Sequence, residues 1–329
     1  MQNCLKQTIS GLLNKDERYI RRCIQLALNG RLTTAPNPMV GAVIVYHDRI
    51  IGEGYHHRQG EPHAEVNAVN SVKQEDVQYL SKSTIYVSLE PCSHFGKTPP
   101  CANLIIDKGI PRVVIGARDT NAKVNGGGIK KLIDAGIEVK VGVLEQECRE
   151  LNKKFFTYHE QHRPFITLKW AQTADGIIGI NGERLLISNA TTQMLCHRLR
   201  AEHQAILVGR KTWEQDRPHL DIRSWEGNNP KIIVLSHSMD LNAELEGIQS
   251  LLVEGGRETL QYFIDNGLWD EAQVEVNNTL EVAGKKEGAE MISAPTLKNS
   301  VLIDTINLYS CQNTLEPERQ VFLYRRNHS

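Results

Sequence analysis

The chain has 329 residues, with 38 Lys and Arg against 39 Asp and Glu, a formal net charge of -1, and 40% hydrophobic and 23% charged residues. That balance lacks the basic excess of a general nucleic-acid binder, although a few local cations suffice to hold one phosphate. The length exceeds what one small core organises and, at roughly 150 residues per domain, implies two domains. No apolar run approaches the roughly 20 residues needed to span a bilayer. Residues 1–15 show neither the apolar stretch nor the cleavage site of a signal peptide. Seven cysteines in a chain read as cytoplasmic imply free thiols, some of them available to metal, rather than a disulfide framework.

Taken in chain order, residues 1–15 read as an extension. An amphipathic helix follows over 16–29, with Tyr19, Cys23, Leu26 and Ala27 on one face. After a Pro-containing loop at 33–38, the β-branched run 40–46 and the segment 50–55 read as strands joined by a turn at His47-Asp48. A helix is expected over 63–72, a strand over 83–89 ending at Glu90-Pro91, and a helix over 101–108 stopped by Gly109. Strand 113–117, helix 128–135, strand 139–143 and a polar helix over 145–158 complete a layered α/β domain spanning 16–160. A second α/β series, 163–329, begins with strand 166–170 and continues with helix 191–202 and strands 205–208, 232–235 and 250–253.

The chemistry-bearing pattern lies in the first domain. His63-Ala64-Glu65 opens a predicted helix, Pro91-Cys92 follows a predicted strand, and Cys101 opens another helix. One imidazole and two thiolates give three metal ligands and leave the fourth position open, as in catalytic rather than structural zinc sites. The helix starts favour deprotonated thiols. Glu65, two positions after His63, is suited to carry a proton from water to a leaving amine. Any one of these residues alone reads as ordinary core; their coincidence carries the assignment. Cys4, Cys23, Cys148, Cys196 and Cys311 have no partner motif and read as structural. His56 and His57 match no ligand spacing and read as surface residues.

The segments Asn37-Pro38-Met39-Val40-Gly41, His63-Ala64-Glu65 and 90–101 (Glu-Pro-Cys-Ser-His-Phe-Gly-Lys-Thr-Pro-Pro-Cys) together resemble the bifunctional riboflavin-biosynthesis deaminase–reductases. The resemblance runs from about Asp16 to near the end of the chain. It implies an N-terminal cytidine-deaminase-like three-layer domain and a C-terminal dihydrofolate-reductase-like domain, the latter shortened. The first would hydrolytically deaminate 2,5-diamino-6-ribosylamino-4(3H)-pyrimidinone 5′-phosphate with Zn2+. The second would reduce the ribosyl group of the product to ribityl with NADPH. It also implies that Asn37, His94 and Lys97 contact the first substrate, Lys97 through its phosphate; alone, Lys97 reads as a solvated loop lysine.

In the second domain the resemblance places Lys169, Arg184, Leu220, Arg223 and Glu254 on the substrate. It places Ala171, Thr212, Asp216, Ser236, Gly255 and Gly256 on NADPH, the glycines after a strand where a helix start favours a phosphate. Read alone, Glu254-Gly255-Gly256 is a strand-to-helix turn and Arg223 a partner for a nearby carboxylate. Three positions depart from the family pattern. Leu186 stands where a tryptophan is usual, Arg217 replaces an acidic or amide residue, and residues 239–249 make a short connection where a further strand and helix are usual. The expectation is an internal strand lost from the sheet and an impaired or altered reduction. Two other readings are a deaminase with a structural C-terminal domain and a nucleic-acid base deaminase; net charge and the long Cys92–Cys101 loop disfavour the latter. A phosphorylated pyrimidine nucleotide is the expected partner, with no nucleic acid and no membrane, and a homodimer is the default assembly.

Overall fold

A computed structural model describes residues 14–93, 99–121, 126–183, 185–236, 239–282, 289–309 and 316–327. The chain divides between His162 and Arg163 into two compact units. The first opens with α1 (Lys15–Ala27). Its start is fixed by Asn14, whose side chain accepts from the Glu17 N–H at 3.1 Å while the Glu17 carboxylate accepts from the Asn14 N–H at 3.0 Å; this reciprocal cap satisfies donors that the helix cannot.

The unit continues through β1 (Gly41–Tyr46), β2 (Arg49–Tyr55), α2 (Ala64–Asn70), β3 (Thr84–Leu89), α3 (Cys101–Asp107), β4 (Arg112–Ala117), α4 (Gly127–Asp134), β5 (Glu138–Val141), α5 (Glu145–Leu151) and α6 (Lys153–Gln161). The sheet order is β2-β1-β3-β4-β5. β1 is antiparallel to β2 and β3, and β3, β4 and β5 are parallel. Successive strand residues face opposite sides. Ile44, Ile85, Val113 and Ile115 therefore pack on Ala64, Ala68, Ala102, Ile105 and Leu132 of α2, α3 and α4. Val43, Tyr86 and Val114 pack on Tyr19, Ile20 and Cys23 of α1 and on Phe155 and Phe156 of α6. The three layers put the starts of α2 and α3 on one face of the sheet, beside the end of β3.

The polar helix expected over 145–158 is two helices, broken at Asn152. The Asn152 side chain donates to Met39 O and accepts from the Met39 N–H, both at 2.8 Å. It thereby pins the Asn37–Met39 segment ahead of β1, a demand that residue-by-residue helix propensity does not register.

The second unit contains β6 (Phe165–Thr173), β7 (Ile177–Ile180), α7 (Ala190–Ala201), β8 (Ala205–Gly209), α8 (Arg210–Asp216), β9 (Lys231–Leu235), α9 (Leu241–Glu244), β10 (Ser250–Val253), α10 (Arg257–Asp265), β11 (Glu271–Asn277), β12 (Met291–Ser293), β13 (Ser300–Leu308) and β14 (Arg319–Arg326). Seven strands form one sheet in the order β13-β14-β11-β6-β10-β8-β9, and β12 pairs with β7. β11, β6, β10, β8 and β9 run parallel, and β14 is antiparallel to β11 and β13. Leu168, Leu207, Leu251 and Val253 pack under Leu260 and Phe263 of α10, with Trp269 fully buried beside them. Ile206, Val208 and Leu252 face Leu199 of α7.

The expected loss of an internal strand is not what the short 239–249 connection produces. α9 spans it, and β6, β10, β8 and β9 are hydrogen-bonded neighbours without a gap. Among the described residues β9 is the last strand of the sheet, and the sheet's interior shows no gap.

Candidate functional site

His63 caps α2 in an extended conformation, and Cys101 is the first residue of α3. Cys92 follows β3. Its carbonyl accepts from the Ala102 N–H at 3.2 Å and its Sγ from the Cys101 N–H at 3.3 Å, so the start of α3 holds it in place. His63 Nδ1 lies 3.3 Å from Cys101 Sγ and 3.6 Å from Cys92 Sγ. All three ligand atoms fall within 4.8 Å of one another. Tetrahedral zinc with ordinary Zn–S and Zn–N bonds needs an N-to-S separation of about 3.5 Å, so these residues fit the metal without rearrangement. The two thiols titrate as a pair. Hydrogen bonding from Cys101 holds the Cys92 thiol far below its usual range, burial opposing and His63 assisting, while the same contact and burial push Cys101 up. Contact with Cys92 raises the His63 imidazole against the effect of burial.

Glu65 sits in the first turn of α2 and is 3% exposed. Burial pushes its carboxyl up to about 7, with His63 working in the other direction. A carboxyl near neutrality can both take and return a proton.

Asn37 lies within reach of this centre through a residue that the spacing argument missed. His56 is buried, not a surface side chain, and its ring stands 5.4 Å from that of His63. Its Nδ1 faces Pro62 O at 3.1 Å and its Nε2 faces Asn37 Nδ2 at 3.2 Å. A proton on Nδ1 donates to the carbonyl and leaves Nε2 to accept from the amide, which describes a neutral imidazole; burial lowers its pKa accordingly. His56 thus fixes which way the Asn37 amide points. The readable signal was its place at the end of β2, where an inward-facing residue is due. His57 is exposed, as expected. His94 and Lys97 lie outside the described residues, as do Arg184, Cys4 and Cys311.

In the second unit the strand register gathers the expected residues at the carboxyl ends of parallel strands, where open α/β sheets take ligands. Val253 pairs with Leu168 and with Leu207, so Glu254 comes level with Lys169. Gly209 pairs with Leu235, which brings the start of α8 beside Ser236. Gly256 donates its N–H to Thr212 Oγ1 at 3.2 Å, and a Cβ on Gly256 would meet that oxygen at 3.0 Å. Ala171 pairs with Glu275 across β6 and β11.

Glu254 is not a free carboxylate. Arg200 of α7 grips it through Nε at 2.7 Å and a second nitrogen at 2.8 Å, and the remaining guanidinium nitrogen donates to His219 O and Asp221 O at 3.0 Å. Burial opposes its charge, but Arg200 outweighs burial and lowers its pKa. Cys196, read above as structural, has its Sγ 3.7 Å from the same carboxylate. Burial works against the Lys169 ammonium, yet Cys196, Glu254 and Glu275 together raise its pKa. Sequence gave no cue to Arg200, Cys196 or Glu275, because their partners come from distant strands.

Other expected positions are placed differently. Leu220 is 4% exposed and packs with Ile206, Val208 and Leu252, so its side chain serves the core. Arg223 pairs with Asp221, a nearby carboxylate, at 3.2 Å. Asp216 is exposed at the end of α8, and Arg217 beyond it adopts a left-handed backbone, φ 42. Leu186 is 69% exposed.

Residues 13–117 match the family described as "Cytidine and deoxycytidylate deaminase zinc-binding region", and residues 164–246 match "RibD C-terminal domain". Riboflavin biosynthesis protein RibD of Aquifex aeolicus (strain VF5) is 47% identical over 209 residues, which is 63% of this chain and 58% of that protein. The chain therefore spans less than two thirds of the length of the curated relatives it matches first. The crystal structure of a diaminohydroxyphosphoribosylaminopyrimidine deaminase/5-amino-6-(5-phosphoribosylamino)uracil reductase from Thermotoga maritima is 31% identical, with TM-score 0.82 over 95% of this chain and 99% of that one. Acinetobacter baumannii RibD, form 1, gives 27% identity and TM-score 0.80 over the same shares, 95% and 99%. The first unit is accordingly cytidine-deaminase-like and the second dihydrofolate-reductase-like. With one family matched in each unit and a solved relative aligned along almost its whole length, the chain belongs to the RibD family of riboflavin-biosynthesis proteins.

Proposed function

We propose that the first unit deaminates a phosphorylated diaminopyrimidinone ribosylamine with Zn2+, and that the second reduces the ribosyl group of the product to ribityl with NADPH. The observation that carries the reading is the meeting of His63 Nδ1 with the two thiols, within 4.8 Å, beside the buried Glu65. His63, Cys92 and Cys101 would hold zinc, which when bound supplies a Lewis acid that makes water acidic near pH 7. Glu65 takes the proton of the attacking water and delivers it to the departing amine. Asn37, its amide oriented by His56, holds the pyrimidine, and His94 and Lys97 complete the substrate contacts, Lys97 on the phosphate.

NADPH would supply a hydride to C1′ of the ribosyl group. Thr212, Asp216, Ser236, Gly255, Gly256 and the backbone of Ala171 form the dinucleotide side of the second site. Lys169, Arg184, Arg223 and Glu254 form the substrate side, with Leu220 supporting it from the core. Lys169 keeps its proton in this setting and presents a positive charge to a polar substrate. The uninterrupted run β6-β10-β8-β9 supports a working reductase over a purely structural module.

A coupled assay tests both halves. Ammonia should be released from the diaminopyrimidinone nucleotide without NADPH, and NADPH should be consumed only after that release. Ammonia release with no NADPH consumption, and no thermal shift on NADPH addition, would leave the second unit structural. Release from a tRNA stem-loop but not from the free nucleotide would reassign the substrate. We also propose a homodimer. Support comes from Val301, Leu302, Ile303 and Ile306, all exposed along β13 at the end of the sheet order, where an apolar edge invites pairing; light scattering in line with size exclusion reads the mass directly. No helix among the described residues is long and apolar enough to cross a membrane.

A further inference from the structure

Two residues before the ligand Cys92, Glu90 is 4% exposed and its carboxylate is saturated by backbone donors. Oε1 accepts from the N–H groups of Gly128 at 3.0 Å and Ile129 at 3.2 Å. Oε2 accepts from Gly126 at 3.1 Å and Asp119 at 3.3 Å. The start of α4 is therefore capped not by its own flanking residue but by the end of β3, a strand remote in sequence. The Glu90 N–H donates to Ala117 O at 3.0 Å, so the same residue also closes the β3–β4 ladder at its last position.

The backbones are in direct contact around this carboxylate. A Cβ on Gly128 would fall 1.9 Å from Pro91 O, and one on Gly127 would fall 2.6 Å from Ser93 Oγ. Residues 91–93, which carry Cys92, are thus pressed against the start of α4 on one side. On the other side the start of α3 holds the carbonyl and Sγ of Cys92. Helix packing and core burial do not require four N–H groups to converge on one buried acid. What the convergence accomplishes is to fix the height and direction of the chain that leaves β3 and presents Cys92.

We propose that Glu90 is a positioning residue for the metal centre: by clamping the start of α4 to the end of β3, it sets the location of the Cys92 thiolate relative to His63 and Cys101. This rests on the zinc reading above, and the two can fail separately. Each oxygen already accepts two N–H donors, so an amide cannot replace the carboxylate: its NH2 would face two donors. Glu90→Gln should therefore be as disruptive as removal of the side chain, while Glu90→Asp, one methylene short, should be intermediate.

The test is zinc affinity of the full chain, measured by competition with a chromophoric chelator at a temperature where circular dichroism shows each variant folded. Glu90→Gln should bind zinc about 10- to 100-fold more weakly, the range typical for loss of a ligand's supporting contact, and Glu90→Asp should fall between it and the parent. Asp16→Asn serves as the control for general loss of stability, because the Asp16 carboxylate bonds Arg112, Lys140 and Tyr86 instead; its zinc affinity should stay within about twofold of the parent. If Glu90→Gln does not fold, Glu90→Asp decides. Parental zinc affinity in a folded Glu90 variant overturns the clamp and leaves the metal site standing, as does an equal loss in Asp16→Asn. A parent chain that takes up no zinc overturns both.

Discussion

The proposed metal centre of the first unit and the proposed ligand face of the second are assembled in opposite ways. In the first, three side chains from separate segments meet within 4.8 Å and leave their donor atoms facing one another, ready for an ion. In the second, the groups around the ends of the parallel strands already bond one another: Glu254 with Arg200, Thr212 with Gly256. A metal site brings several ligand atoms close enough to share one ion, so its geometry declares itself in the protein alone. A dinucleotide face works through backbone N–H groups, small residues and paired charges, and its purpose shows only in where the strand register puts them.

That contrast can be broken first at the metal. Cys101→Ser removes a soft ligand, and zinc uptake and ammonia release should both collapse, by about 1,000-fold or more. NADPH consumption with the deaminated intermediate should persist. Simultaneous loss of both activities would show that the units do not behave independently.

The next effect lies at the paired acid of the second unit. Arg200→Met leaves the Glu254 carboxylate buried without its partner, a change worth about 3–5 kcal/mol in comparable pairs. Thermal unfolding should show the loss, and Arg200→Met combined with Glu254→Met should recover a large part of it. No recovery would mean that the bonds from Arg200 to His219 O and Asp221 O matter more than the ion pair.

Acid sharpens the comparison by acting on the first unit through Asp16. Burial opposes its charge, but Arg112, Lys140 and Tyr86 outweigh burial and hold the carboxyl well below its usual range. A folded-state pKa below the unfolded value of about 3.9 contributes stability above that value. The contribution is lost as pH falls through the folded pKa. The first unit should thus lose thermal stability below about pH 4, and Asp16→Asn should start lower and flatten that part of the profile. The smallest expected effect is Asn14→Ala, which removes the α1 cap at a cost of about 1 kcal/mol and should leave zinc affinity unchanged.

How much of this was legible beforehand follows the same division. Strands β1, β3 and β4 and the helices that begin at His63 and Cys101 were readable because apolar periodicity and helix starts are local. The proposed ligands stand out in the sequence because their residue types are rare and their positions coincide with those starts. His56 escapes a spacing argument because no ligand spacing includes it, although it continues the inward-facing alternation of β2. The break at Asn152 and the pairings of Arg200 and Glu90 were not legible, since each partner is fixed by tertiary contact and not by neighbours in sequence. The short 239–249 connection does not interrupt the sheet. Strand order, which sequence does not state, keeps β6, β10, β8 and β9 adjacent, so no gap opens inside the sheet.

The most direct test of the central claim is Glu65→Gln, assayed for bound zinc and for ammonia release in the same preparation. The account predicts one zinc per chain with deamination reduced about 1,000-fold, because the three ligands are untouched and only the proton carrier is gone. Parental ammonia release from the zinc-loaded variant would contradict it.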